Sequence, residues 1–317
     1  MIVSRYEYNE RDVTVLEKKE SITAKVCALA RAYHSYYSKD KVFDDYLSYD
    51  LLGKDEYEYL KALIIQKIPV QSDGKKAIAW NEFLDKYVSP IPLSRIAYTE
   101  NKILEFAEKN GSCQLVICGA GLDSFAFRNK NPDIEIFELD HPNTQQHKNQ
   151  KIKKLNWEIP DNVHFAPINF EKDSVDKILL NAGFDTNKRT FFSILGVSYY
   201  LTLDTLKKTF DQISRISALK SLVVFDFPDK VSWENDKGPE RVMKLKSLTA
   251  QLGEKMMEGF TVEELTQALS DSGYRVIEHQ SPEQIQDRYF ANRHDNLQAF
   301  ENVHFIAAEF IKPRENN

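Results

Sequence analysis

The stretch from Cys113 to Pro142, CQLVICGAGLDSFAFRNKNPDIEIFELDHP, constrains the fold of this 317-residue chain more than any other. An apolar strand runs into a glycine turn, a short helix and a second strand that ends in an acidic cluster. A nucleotide-binding α/β domain begins in this way, with its ligand at the carboxyl ends of the strands. The segment therefore predicts an α/β fold with a ligand pocket at that edge.

The chain after Cys113 continues to alternate between strands and helices. The middle strands are nearly continuous apolar runs, which is typical of a parallel sheet covered on both faces. The last two strands are long and joined by SPEQIQDRYFANRHDN, so we expect an antiparallel strand near the end. The predicted strands are Leu115–Cys118, Ile134–Leu139, Val163–Ile168, Thr190–Leu195, Leu222–Phe227, Tyr274–His279 and Val303–Phe310. The predicted helices are Asp123–Arg128, Asn143–Leu155, Ser174–Asn181, Asp204–Ser217, Pro239–Leu252 and Thr261–Ser270.

Residues 1–93 are predicted to form a helical extension packed on a core of residues 94–317, although 1–317 can also be counted as one domain. SITAKVCALARAYHSYY has apolar residues at helical spacing, and Ser21 is a suitable cap. VFDDYLSYDLL and EYEYLKALIIQKI predict two more short helices. Proline and glycine in PVQSDGKK, and then Pro90 and Pro92, interrupt the helical pattern. A helix from Ser94 to about Lys109 is expected to lead into the first strand.

Composition and charge limit the kinds of partner that this chain is expected to bind. The net charge is −6 with both signs mixed along the chain, so we expect no nucleic-acid partner. No apolar run approaches the roughly 20 residues of a membrane-spanning helix, and the N-terminus lacks a signal-peptide core, so a cytoplasmic protein without membrane contact is expected. Cys27, Cys113 and Cys118 are too few and too scattered for a disulfide framework or a zinc site. We interpret them as core residues and expect no metal.

The glycine turn is compatible with more than one ligand. Gly119 and Gly121 flank Ala120 directly after a strand, and Asp140 follows about twenty residues on, where a carboxylate can bind ribose hydroxyls. The alternative is a tight turn in which Asp140 and His141 only cap the next helix.

The third glycine of a dinucleotide fingerprint is absent, since Ser124 stands in its place. Asp123 at the start of the helix would repel a diphosphate but suits a ligand with an amine and a sulfonium cation. These two features favour S-adenosylmethionine over a dinucleotide. An NAD-dependent oxidoreductase is the alternative.

GAGLDSFAFR followed by ELDHP resembles the leucine carboxyl methyltransferase family, which includes bacterial O-methyltransferases related to those that esterify polyketide carboxylates. The resemblance continues in LSRIAYTENKILEFA, HFAPINFEKDS and ILGVSYYLTLDTLKKTF, and covers about residues 21–230. It implies a Rossmann-like class I methyltransferase fold, with a seven-stranded, mostly parallel sheet, helices on both faces and an N-terminal helical extension. It also implies S-adenosylmethionine-dependent O-methylation of a carboxylate on a small or mid-sized metabolite.

The resemblance further implies roles for individual residues. Gly119, Ala120 and Gly121 would line the methionine part of the cofactor, and Asp140 with His141 would lie at the ribose. Arg95 and Lys25 would bind the cofactor's carboxylate, although each could instead be a surface residue of a helix. The positions implied to lie beside the adenine or elsewhere along the cofactor are Asn169, Phe170 and Leu195.

Two of these positions depart from the family pattern. The family usually has Asp at position 169 and has Glu before G-V-x-x-Y-L, where this chain has Leu195. These two departures leave open a non-catalytic member of the family that binds the cofactor or a protein partner.

A carboxylate acceptor would simplify the chemistry. With a pKa of about 4 it is already ionised at neutral pH, so no general base is required and no catalytic residue is assigned. The expected partner is a small molecule with a carboxyl or hydroxyl acceptor. The segment Trp233–Met257 is interpreted as a lid or substrate wall, or alternatively as a surface helical insertion. Candidates for orienting the substrate are Tyr98, Arg128, Tyr199, Tyr200 and Arg241.

Overall fold

Seven strands form one sheet in the order β3-β2-β1-β4-β5-β7-β6. The structure is a computed structural model that describes residues 21–71, 75–76, 78–234 and 238–312. Strands β1 to β5 run parallel, and β7 is antiparallel to both of its neighbours, β5 and β6. The strands are β1 Cys113–Cys118, β2 Ile134–Asp140, β3 Val163–Pro167, β4 Thr190–Ile194, β5 Leu222–Pro228, β6 Tyr274–Gln280 and β7 Val303–Phe310. The predicted α/β fold and its antiparallel strand are confirmed.

Helices precede the sheet and alternate with its strands. Before the sheet come α1 Ile22–Tyr37, α2 Ser48–Leu52, α3 Lys54–Lys67, α4 Trp80–Tyr87 and α5 Pro90–Asn110. Between the strands lie α6 Phe125–Arg128, α7 Pro142–Lys154, α8 Val175–Asn181, α9 Leu203–Ser214, α10 Lys230–Glu234, α11 Glu240–Gln251, α12 Val262–Asp271 and α13 Pro282–Ile285. Ser198–Tyr200 forms a 3₁₀ turn, and Gln286–Phe290 a π turn.

Two helix predictions need correction. Helix α5 begins at Pro90 rather than Ser94, because proline is tolerated in the first turn, where backbone N–H groups have no partner within the helix. VFDDYLSYDLL is helical only at its end, in α2. The predicted cap of α1 is present, since Ser21 Oγ accepts a hydrogen bond from Ala24 N at 3.1 Å.

The sheet is covered on both faces, as its apolar strands predict. Leu115 and Ile117 of β1 belong to the apolar cluster on one face, and Val116 and Cys118 to the cluster on the other. This alternation follows from the two-residue repeat of a strand. All six residues of β1 are buried, so its carboxyl end is fixed firmly beneath the glycine turn.

A third apolar cluster joins the N-terminal helices to the core. Leu29 of α1, Leu60 of α3 and Phe83 of α4 pack in one cluster with Leu122, the residue that follows the glycine turn. The first helices thereby lie over the turn, where the ligand pocket is expected. Within the described ranges, no helix combines the length and apolar character needed to cross a bilayer. The division at residue 93 stays a prediction.

A buried ion pair joins β2 to α7. Glu138 lies in the middle of β2 with no exposed surface, and its Oε2 lies 2.5 Å from Lys148 Nζ on α7. Burial raises the pKa of Glu138, whereas Lys148 opposes that shift. Because a charge without its partner is costly in the interior, Lys148 is the residue that keeps Glu138 compatible with the core.

We therefore expect Lys148→Met to lower the free energy of unfolding by roughly 3–5 kcal/mol, as found when one partner of a buried pair is removed. Urea unfolding measures this effect. Lys154→Met is the matched control, since Lys154 is exposed near the end of the same helix and should change stability by less than about 0.5 kcal/mol. Equal effects of the two substitutions would contradict the importance of the pair.

Candidate functional site

A cavity of about 340 Å³ lies where the carboxyl ends of β1, β2 and β4 meet α1 and α5. Its position agrees with the general rule for ligands of open α/β sheets. Ten residues singled out from the sequence line it together. They are Arg95, Gly119, Ala120, Gly121, Asp140, His141, Asn169, Phe170, Leu195 and Tyr200.

The glycine turn forms one wall of this cavity and requires its glycines. Gly119 and Gly121 have φ of +73° and +54°, a region that side chains disfavour. A Cβ on Gly119 would lie 2.5 Å from Val197 Cγ2, and one on Gly121 would lie 3.0 Å from Ala24 Cβ. The turn is therefore closed from both sides by neighbouring chain, and only glycine fits both positions.

Asp140 is tied to the turn that faces it. Its Oδ2 accepts a hydrogen bond from Gly121 N at 2.5 Å, and its Oδ1 accepts one from His141 N at 2.6 Å. Burial raises the pKa of Asp140, while these two backbone donors oppose the rise. The carboxylate is thus fixed at the end of β2, in the wall of the cavity.

Arg95 reaches the cavity from α5 and is held there by a buried carboxylate. Its Nη1 lies 3.2 Å from Asp226 Oδ2 on β5, and its Nη2 lies 3.5 Å from Cys27 Sγ. Asp226 has no exposed surface and also accepts hydrogen bonds from Gly196 N at 2.6 Å and Tyr199 Oη at 3.0 Å. The pKa of Arg95 is raised by Asp226 despite its burial. The guanidinium is therefore a fixed cation.

Gly196 provides the space that Arg95 occupies. A Cβ at position 196 would lie 2.5 Å from Arg95 Nη1, and φ there is +69°. Sequence reasoning missed Asp226, whose signal was a single acidic residue inside the apolar strand LVVFDFP.

A second buried network supports the residues that follow the turn. Arg31 Nη2 donates to the carbonyl oxygen of Leu122 at 2.6 Å, and its Nε lies 2.8 Å from Asp45 Oδ2. Asp45 also accepts a hydrogen bond from Ser124 Oγ at 2.5 Å and lies 3.4 Å from Arg128 Nε. No sequence pattern pointed to Arg31 and Asp45, because their partners are distant along the chain. Arg128, a substrate-orienting candidate, serves this network and does not line the cavity.

Three further candidates lie away from the cavity. Lys25 Nζ is 2.8 Å from Glu56 Oε1. Tyr98 is fully buried and stacks on Phe305 with ring centroids 5.2 Å apart. Arg241 donates to backbone carbonyl oxygens at 2.9–3.0 Å and is 8% exposed, so its guanidinium holds chain segments together.

A smaller, apolar cavity of about 100 Å³ adjoins the first. The two share several lining residues, namely Thr23, Cys27, Pro92, Arg95, Gly196 and Tyr200. Tyr199 and residues of α11, such as Leu248, line the smaller one. The sequence of Trp233–Met257 is compatible with a lid, a substrate wall or a surface helical insertion. Because α11 of this segment lines the smaller cavity, its position agrees best with a wall. Residues 235–237 lie outside the described residues.

The family model for leucine carboxyl methyltransferases matches residues 24–214, which include every residue that lines the larger cavity apart from Ser21 and Thr23. The chain belongs to the leucine carboxyl methyltransferase family. This membership confirms the resemblance seen in GAGLD and ELDHP.

Relatives of this methyltransferase-family chain agree with the assignment. YktD of Bacillus subtilis (strain 168), by name a candidate S-adenosyl-L-methionine-dependent methyltransferase, is 38% identical over 305 residues, covering 92% of this chain and 98% of the relative. A candidate S-adenosyl-L-methionine-dependent methyltransferase of Mycobacterium ulcerans (strain Agy99) is 31% identical over 114 residues, 36% of each chain. Both names point to the cofactor that the sequence favours.

Solved structures support the fold of this family member. A candidate methyltransferase from Thermobifida fusca YX has a TM-score of 0.53 at 15% identity, covering 93% of this chain and 96% of that chain. A DUF574 family protein from Streptomyces avermitilis MA-4680 has a TM-score of 0.55 at 8% identity, covering 93% of this chain and 99% of that chain. These similarities concern architecture alone.

The packing of Gly196 against Arg95 is directly testable. We expect Gly196→Ala to destabilise the protein by about 1–3 kcal/mol more than Gly111→Ala, because only the former would push the Arg95 guanidinium away from Asp226. Gly111 is a matched control, since it also has a positive φ, of +66°, but has no neighbouring atom within 4 Å of the position that an added methyl group would take. Urea unfolding of both variants provides the comparison, and equal losses would exclude the close contact with Arg95.

Proposed function

We propose that this protein is an S-adenosylmethionine-dependent O-methyltransferase that methylates a carboxylate of a small or mid-sized metabolite. The observation that carries the proposal is the convergence of the glycine turn, Asp140 and Arg95 on one cavity next to an apolar one. Family membership supports methyl transfer, and the chemistry of the two cavities supports the choice of acceptor.

The larger cavity fits S-adenosylmethionine in volume and in polar groups. About 340 Å³ lies within the usual range of about 300–1,000 Å³ for small-molecule sites. A carboxylate oxygen has two lone pairs, so each oxygen of Asp140 can accept a ribose hydroxyl in addition to its backbone N–H. Arg95 suits the methionine carboxylate, since its guanidinium has five N–H donors in a planar fork.

The remaining lining residues suit the other parts of this cofactor. Gly119, Ala120 and Gly121 leave room for its methionine part, and His141 lies next to Asp140. Asn169 and Phe170 would flank the adenine, although Asn169 Oδ1 already accepts a hydrogen bond from Glu171 N at 3.0 Å. Lys25, held by Glu56, has no part in this proposal.

Asp123 argues against a diphosphate ligand in this cavity. Its Oδ1 accepts a hydrogen bond from Phe125 N at 2.7 Å, which occupies a donor that a phosphate would need at the start of α6. Its negative charge also lies on the cavity wall. An amine and a sulfonium are favoured by such a charge, whereas a dinucleotide is not.

Although Leu195 stands where the family has Glu, an acidic residue is still present near this edge of the sheet. Asp226, on the neighbouring strand, accepts a hydrogen bond from Gly196 N, the residue after Leu195. Unlike Leu195, Asp226 does not line the larger cavity, so it supports the cavity wall from behind.

The reaction needs alignment rather than proton transfer. The bound cofactor supplies a methyl group on a positively charged sulfur. Transfer of this methyl group to a carboxylate oxygen of the acceptor would neutralise the charges of both reactants and release no proton. Arg95 and the turn would hold the two reactants in line, and the buried walls would exclude water. Asp226 accepts hydrogen bonds from Arg95, Gly196 and Tyr199, so it does not act as a base in this scheme.

The role of Asp140 is tested by binding. We expect Asp140→Asn to weaken S-adenosylhomocysteine binding by about 10- to 100-fold, since hydrogen bonds to a charged group contribute about 1.5–3 kcal/mol. Isothermal titration calorimetry measures the affinity. Asp133→Asn, at an exposed position before β2, is the matched control and should bind like the wild type. Unchanged affinity in Asp140→Asn would remove Asp140 from the site.

The acceptor class is tested by product and pH. Incubation with methyl-labelled cofactor and a panel of carboxylic acids should give methyl esters, which alkali cleaves to labelled methanol. The rate should show no rising limb between about pH 6 and 9, because a carboxyl with a pKa of about 4 is already ionised throughout this range. An alkali-stable methyl ether, formed at a rate that increases with pH, would instead show a hydroxyl acceptor.

A further inference from the structure

We propose that the smaller cavity, here called the acceptor chamber, binds the hydrocarbon body of a monocarboxylic acid, a body no larger than a single ring or a six-carbon chain. This inference rests on the proposed function and assigns the class of acceptor. It places the carboxylate at the boundary between the chamber and the larger cavity, and the hydrocarbon body inside the chamber.

The two cavities meet where methyl transfer would have to occur. Thr23, Arg95, Gly196 and Tyr200 line both, and Tyr200 Oη lies 3.3 Å from Thr23 Oγ1. Hydroxyls and a guanidinium are thus concentrated at the shared boundary, and apolar side chains lie beyond it. A ligand that fits both zones has one polar end and one apolar end.

The lining of the chamber accommodates at most one negative group, at the boundary with the larger cavity. No Asp or Glu is among the described residues that line it, and its charged residues are Arg95 and Lys67. Lys67 Nζ lies 3.0 Å from Gln251 Oε1 at the exposed surface, so it is mainly the aliphatic stem of Lys67 that serves the chamber. A second carboxylate on the acceptor would be buried among apolar side chains without a partner, which is unfavourable.

The apolar wall limits the size of the acceptor. Side chains of five helices contribute to it, including Val26, Leu63, Ile64, Phe83, Ile91 and Leu248. The chamber holds about 100 Å³, and an apolar protein cavity of about 150 Å³ is known to bind benzene. Since the chamber is smaller than that cavity, one ring, or a chain of similar volume, is the upper limit for the body.

A contact between distant segments keeps this wall in place. Glu254, which follows α11, accepts hydrogen bonds from Ile22 N at 2.7 Å and Thr23 N at 3.2 Å. The start of α1 and the end of α11, on two sides of the chamber, are thereby joined. Because both sides are fixed, the acceptor has to match the existing volume.

Calorimetric titration into wild-type protein saturated with S-adenosylhomocysteine tests the inference. The probes are hexanoate, phenylacetate, adipate and a peptide with a C-terminal leucine. Hexanoate and phenylacetate should bind at least about tenfold more tightly than adipate or the peptide, since these would bury a second charge or a chain of amides. Equal or tighter binding of adipate or the peptide overturns the proposal, as does the absence of binding by both monocarboxylates.

Chamber variants give a second, independent readout. Leu248→Trp should fill the chamber and weaken hexanoate binding at least about tenfold, and Leu248→Ala should shift the preference toward acids with a longer chain. Leu219→Trp, at a site that is 55% exposed, is the matched control and should bind all probes like the wild type. Unchanged acid binding in both Leu248 variants overturns the assignment.

S-adenosylhomocysteine affinity separates this inference from the function on which it rests. The Leu248 and Leu219 variants should bind S-adenosylhomocysteine like the wild type, because neither residue lines the larger cavity. Failure of the wild type to bind it would overturn the proposed function and the inference together. Normal binding of S-adenosylhomocysteine without selective binding of monocarboxylates overturns the inference alone.

Discussion

The site depends on one buried carboxylate, that of Asp226. An ionised group with no solvent contact needs partners, and removing one from a buried pair commonly costs about 3–5 kcal/mol. Asp226 finds its partners in α5, in the residues after β4 and in the 3₁₀ turn, through Arg95, Gly196 and Tyr199. These three elements are thereby fixed relative to β5, and the cation that faces both cavities is fixed with them.

Much of the fold could be predicted from the sequence because its determinants are local. The buried strands, such as β1 and β4, are short apolar runs followed closely by glycine, and Ser21 marks the start of α1. The start of α5 was harder to predict. Proline usually interrupts a helix, but Pro90 is the first residue of this helix, where proline is tolerated. In VFDDYLSYDLL the propensity is ambiguous, and tertiary packing decides that only the last residues are helical.

Part of the site could also be predicted from local sequence patterns, and the rest could not. Gly119, Gly121 and Asp140 follow from motif spacing, since parallel strand ends meet at one edge of the sheet. Arg95 and Asp226 are 131 residues apart, so no pattern in the sequence connects them. Tyr98 and Arg241 were of suitable type for a site, yet packing directs them elsewhere, to an aromatic stack and to backbone carbonyls. The acceptor chamber is formed by helices from distant parts of the chain and has no linear signature.

The close approach of α1 to the glycine turn has an evolutionary consequence. Ala24 Cβ lies 3.0 Å from the place that a Cβ on Gly121 would take, so the two positions share one small volume. A larger residue at either position would move the helix that covers the cavity away from the turn. Position 121 should therefore stay glycine among homologues, and a relative with a bulky residue at position 24 should have its first helix farther from the strand ends.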